Sequence, residues 1–211
     1  MIETSKSRYQ FAALERHSQA LANETESKCA ENRLAASNTI SFLGSVFETV
    51  EQQPKSLFRN VRLMLIARFM NHLYSMFLLV ERGLFLDAHA CARAATESTA
   101  FYWMICIDQC YAEEYIKEQS PRPVEVRKEL EKRGVDVKEL KDIYSHQSEV
   151  VHVGNSSDQM QVRWHDLENG EIGIGGRSET ELQRSAFNAI VASMVIFLRY
   201  DPDFKPVERS E

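Results

Sequence analysis

Two short stretches hold the residues that could do chemistry. The first is Arg82, His89, Arg93 and Glu97. Counted from Arg82 at about 100° per residue, His89 falls at about −20°, Arg93 at about +20° and Glu97 at about +60°. The four share one stripe if the helix runs through Gly83. Around the rest of that helix, Leu84, Phe85, Ala88, Cys91, Ala95, Phe101, Tyr102, Trp103 and Ile105 leave no broad solvent face. Charges on such a rod must pair or line a cleft. Arg93 and Glu97 are one turn apart and can pair directly. The stripe is therefore an internal salt bridge tying helices together, a functional polar pocket, or a plain exposed band.

The second stretch runs from Tyr144 to His152. Leu140, Ile143, Tyr144, Gln147 and Val151 fall on one helical face, which is expected to pack inward. His146 and His152 lie about 120° apart around the helix, so they cannot converge as a metal pair. His146 shares a polar face with Asp142 and Glu149, the pattern of a solvated charge cluster. Glu149-x-x-His152 is half of a di-iron ligand set, and no second Glu-x-x-His exists to complete it. His152 sits one turn past Ser148 and just before the helix stop at Gly154-Asn155. The helix dipole there favours a charged imidazole, which suits an acid/base, a phosphate-facing group or a cap on the last carbonyls.

Several chemistries lack their motif. Gly173-x-Gly175-Gly176 has neither the Walker nor the Rossmann pattern. There is no Gly-x-Ser-x-Gly elbow and no Cys/His cluster with zinc spacing. Neither a cofactor nor a metal is expected. The four cysteines, Cys29, Cys91, Cys106 and Cys110, read as small buried core residues of a reducing compartment.

The elements that must position these residues are mostly helices. Residues 6–52 carry helical spacing; the polar stretch from Glu15 to Arg33 implies either a long, partly exposed helix or a break near Asn38. Pro54 ends this region, because the residue before a proline is pushed out of helical geometry. A helix over 56–80 is apolar nearly all round and belongs in the middle of a bundle. Gly83 marks a turn. A third helix over 84–110 is rich in alanine, which lets neighbours approach closely.

Ser120-Pro121-Arg122-Pro123 is a break, followed by a short charged helix over 124–133 that Gly134 closes. A helix over 137–151 follows. Alternating Met160, Val162 and Trp164, a turn at Asn169-Gly170, then Ile172 and Ile174 predict a small β-hairpin at about 160–175. Ser178 and Glu181 form a capping box for a last helix over 180–199, which could bury in the bundle or form a dimer seam. The tail from Asp201 is polar and expected to fray.

The 211 residues are 44% hydrophobic, enough for one core domain with appendages. The net charge of −6 is a poor match to nucleic acid through bulk charge, though a local basic pocket is compatible with it. The N-terminal stretch has no apolar signal-peptide region. In the most apolar region the longest uncharged run, Phe69–Val80, is twelve residues, against about 20 for a membrane span. A cytoplasmic location and no membrane partner are the expectation.

The stretch Arg82-Gly83-Leu84-Phe85-Leu86-Asp87-Ala88, with Arg93, Ala94 and Glu97 beyond it, resembles the signature of a family of bacterial helical-bundle proteins of unknown function. That signature is roughly RG-x4-A-x4-R-x3-E, followed tens of residues later by Tyr-x3-Ser-x3-His, here Tyr144, Ser148 and His152. The resemblance spans roughly residues 55–200. More distantly the arrangement is similar to HEPN domains, helical and usually dimeric, common in bacterial toxin and anti-phage systems. Active members carry Arg-x4–6-His on one helix, and paired subunits form a metal-independent RNA-cleaving cleft. His152 has no arginine at that spacing. Arg82 and His89 meet it, with Gly83 where a polar residue is usual.

The sequence therefore predicts an all-α bundle of five to seven helices with a hairpin before the last one. Residues 1–53 form a region packing on or projecting from a core over 54–200, and 201–211 form a polar tail. A homodimer is expected. The first functional reading is a non-catalytic interaction module that binds a partner protein, with Arg93, Glu97, Tyr144 and His152 in a structural network. The alternative is a HEPN-like ribonuclease or nucleotide-binding protein. There His152 would be the acid/base and Arg93 would hold phosphate, oriented by Glu97 and supported by Tyr144 and Ser148. Arg82 and His89 are secondary candidates.

Overall fold

The computed structural model describes residues 11–117, 121–151 and 180–204, excepting the side chains of 11–13 and 149–151. Among these residues there are eight helices and no strand: α1 Phe11–Lys28, α2 Ala30–Glu51, α3 Leu57–Glu81, α4 Phe85–Ile107, α5 Tyr111–Tyr115, α6 Pro123–Lys132, α7 Lys138–Val151 and α8 Thr180–Phe197. The all-α bundle is as expected, with more helices than the five to seven predicted. The hairpin expected at 160–175 and the Ser178 cap lie outside the described residues.

Local chemistry explains most of the boundaries. After Pro54, the Ser56 hydroxyl accepts the Arg59 N–H at 3.1 Å and opens α3. Gly83 closes α3 with φ 68°, a left-handed conformation that favours glycine. The N–H groups of Gly83 and Leu84 donate back to the carbonyls of Val80 (3.1 Å) and Leu79 (2.9 Å). Pro123 stands at the start of α6, where its missing N–H costs nothing, and Gly134 ends that helix with φ 78°. α4 stops at Ile107 rather than 110, because Asp108 is extended. The N-terminal break falls at Cys29, not near Asn38.

The middle of the bundle is α4 rather than α3. From Ser98 to Ile105 every residue of α4 is buried, on all sides of the helix. α3, α5, α6, α7 and α8 all pack against it. The alanines Ala88, Ala92 and Ala95 allow the close approach that their small size predicts. α3 has length and hydropathy enough to cross a membrane. Here it is a core helix lying against α2, α4 and α8, with Leu65, Ile66, Phe69 and Leu73 fully buried, while Met64 and Tyr74 are exposed. Phe197 of α8 stacks between Phe69 (3.9 Å) and Tyr102 (4.0 Å). The Trp103 indole N–H donates to the Ile196 carbonyl at 2.9 Å.

Asp201 is not part of a frayed tail. It is 1% exposed, and its carboxylate takes Arg62 Nη2 at 2.5 Å and the hydroxyl of Tyr102. Arg62 is also 1% exposed and reaches Asp203 at 2.7 Å through Nη1. Burial works against the charge on Arg62, but Tyr102 and Asp201 more than offset this and hold its pKa above the usual arginine value. Burial opposes ionisation of Asp203 as well, yet hydrogen bonds from Arg62 and Gln53 leave its carboxyl below the ordinary range. A buried cation of this kind needs its partners, so the chain beyond α8 must stay docked.

Candidate functional site

α4 and α7 bring the two polar stretches together. Arg93 donates from Nη2 to the Tyr144 hydroxyl at 2.8 Å, and its Nε lies 3.5 Å from Glu97 Oε1. One turn along each helix, Thr96 donates to Gln147 Oε1 at 3.1 Å. His89, a turn before Arg93, meets His146, two residues after Tyr144, with ring centres 5.9 Å apart. The Ser148 hydroxyl is buried and has no hydrogen-bond partner among the described residues. His152 lies outside the described residues.

α6 adds a residue that sequence reasoning missed. Arg127 is 6% exposed, with its Cζ 4.3 Å from the Tyr144 ring centre; the Cζ of Arg93 is 4.8 Å from the same ring. Two guanidiniums thus attend one aromatic ring, a cation–π arrangement worth more when desolvated. Arg127 Nη1 is buried with no hydrogen-bond partner, and the residue makes no ion pair among the described residues. A signal existed: Val126 and Leu130 mark the apolar face of α6, and Arg127 adjoins it. α3 contributes His72, whose Nε2 is also buried and unpartnered. Burial, and then Arg68, pull its pKa below the ordinary value, against the opposing pull of Glu97.

Arg82 and His89 do not join this cluster. The stripe that would unite them with Arg93 needs a helix continuous through Gly83. Gly83 breaks it, leaving Arg82 as the exposed C-cap of α3. His89 turns instead toward a groove of about 480 Å³ between α4, α7 and α8. Met76, Phe85, Ile143, Leu182 and Ile196 give that groove apolar walls, with His89, His146 and Asp142 at its polar edge. Burial, and then His146, lower the pKa of His89. His146 and Asp142 are exposed as expected for a polar face, yet they border this groove. The volume is that of a small-ligand or side-chain pocket.

The cysteines are free, but only Cys29 is buried, and Cys110 is exposed because it lies past the end of α4. No group of three His, Cys, Asp or Glu among the described residues could hold a metal ion. Arg93 is committed to Tyr144 and Glu97, and the Tyr144 oxygen already accepts a charged hydrogen bond. Its own proton is free to donate. The cluster can therefore bind and orient an acceptor group. Compared with family models, curated proteins and solved structures, the chain has no match.

Proposed function

We propose that this chain is a non-catalytic, homodimeric interaction module whose α4–α7–α8 groove takes an apolar segment of a partner protein. The observation that carries this reading is the pairing of Arg93 with Tyr144 and Glu97. The residues best suited to chemistry are bonded to one another, while the sizeable groove nearby is lined mainly by apolar side chains. Exposed Met64 and Tyr74 on α3 offer apolar contact points for a second copy. The hairpin over 160–175 and a cytoplasmic location belong to the same proposal. A second reading, a HEPN-like ribonuclease or nucleotide-binding protein of a defence system, draws on the meeting of Arg93 with Tyr144, as the resemblance requires.

Three measurements on the purified chain test the proposal. Light scattering should give twice the 24.3 kDa chain mass. RNA should stay intact on incubation with the protein. Arg93→Ala should lower Tm by about 2–8 °C, from about 1–2 kcal/mol for a partly exposed charged hydrogen bond and ion pair. RNA cleaved by the wild type and spared by His152→Ala or Arg93→Ala would overturn the proposal in favour of the second reading.

A further inference from the structure

We infer that the junction of α4, α6 and α7 is a binding site for the terminal phosphate of a small ligand, with Arg127 as its main anchor. This goes beyond the partner-binding groove, which lies on the α8 side and is lined by other residues. A guanidinium carries five N–H donors and does not lose its charge. In a folded chain a buried one is expected to meet a carboxylate, as Arg62 meets Asp201. Arg127 is 6% exposed. Among the described residues its charge meets the face of Tyr144, and its buried Nη1 has no acceptor. A missing anionic acceptor explains this arrangement.

The neighbours fit an oxyanion. Arg93 attends the same ring, and only its Nε and Nη2 are engaged within the protein. The Tyr144 hydroxyl retains its proton for donation. Against these two cations stands one carboxylate, Glu97, so the cluster is net positive in a chain whose formal charge is −6. Arg93 and Glu97 are about a quarter exposed, 26% and 23%, so a ligand would approach Arg127 from their side. The backbone of a nucleic-acid strand is a poorer fit, because the acidic chain around it repels a polyanion. Phosphate is favoured over carboxylate because its second charge and third oxygen answer to the Arg127 fork, the remaining Arg93 Nη1 and a hydroxyl.

The test is titration of the full chain with inorganic pyrophosphate at constant ionic strength, read by thermal unfolding and by 31P line broadening. A saturable rise in Tm with concentration is expected, together with broadening of the ligand signal. Arg127→Gln should abolish both. Glu97→Gln should tighten binding several-fold, a gain that misfolding cannot imitate and that decides the matter should Arg127→Gln fail to fold. Acetate at equal concentration should give neither signal. Absence of saturable binding by the wild type overturns the inference. So does undiminished binding by folded Arg127→Gln, binding unchanged or weakened by Glu97→Gln, or acetate binding as tightly as pyrophosphate. A single-stranded RNA oligomer that binds more tightly than pyrophosphate through Arg127 overturns the small-ligand assignment.

Discussion

Replacing Asp201 by Asn removes one charge and almost no volume from the buried Arg62 cluster. The Asp201 carboxylate meets Arg62 at 2.5 Å, takes the Tyr102 hydroxyl and accepts the Asp203 N–H at 2.8 Å. Arg62 and Asp201 have side-chain exposures of 1% and 0%, so water cannot take over. Removing one partner of such a pair costs about 3–5 kcal/mol. Asp203 stays 2.7 Å from Arg62 but is about a third exposed, 35%, so it compensates in part. That sets the expectation at the lower end, about 3 kcal/mol. For a chain of this length each kcal/mol moves Tm by about 2–4 °C, giving a fall of about 6–12 °C in calorimetry. The combined variant Arg62→Met, Tyr102→Phe, Asp201→Leu removes the charge and both hydrogen-bonding partners together. It should recover most of the loss, since a well-packed apolar replacement of a buried pair is commonly neutral. An Asp201→Asn variant that melts within about 2 °C of the wild type would refute the idea that this carboxylate holds Arg62.

Acidification should weaken the fold between pH 7.5 and 5.5. His89 and His72 both have folded pKa values below their ordinary 6.5. Protons therefore bind the unfolded chain first, and the stability present above 6.5 is lost as pH falls. His89→Gln should flatten that slope in pH-dependent unfolding, and a Tm that rises on acidification across this window contradicts the assignment. The carboxyl of Asp203 acts only below its ordinary 3.8 and leaves the window untouched. Gly83→Ala should cost about 1 kcal/mol or more in chemical denaturation, because φ 68° is strained for alanine. No change there would mean that the α3–α4 turn relaxes freely.

Local patterns were readable where local chemistry decides. Pro54, Gly83, Pro123 and Gly134 each ended or opened a helix within a few residues of where the sequence placed it. The α4–α7 meeting of Arg93 with Tyr144 was legible only through the resemblance that names both stretches, since neither helix's own pattern points to a partner 51 residues away. The break at Cys29 was not, since neither glycine nor proline marks it and burial of the cysteine decides it. Arg62 looked like one charge on a greasy helix and Asp201 like a polar tail. Their partnership joins positions 139 residues apart, which no short window can see. Arg127 was overlooked among the charges of α6, although it adjoins the apolar face that Val126 and Leu130 mark. The stripe including Arg82 was misread because a 100° periodicity was carried across a glycine that adopts a left-handed conformation.

The separation of Arg62 from its carboxylate bears on how the chain folds as it is made. Arg62 leaves the ribosome 139 residues ahead of Asp201. At about 5–20 residues per second that is a wait of roughly seven to thirty seconds. During it, α2, α3 and α4 can pair through their apolar faces, but the arginine between them has no anion to close upon. The nascent bundle must keep that guanidinium wet, and final compaction is postponed until the last helix and the turn beyond it arrive.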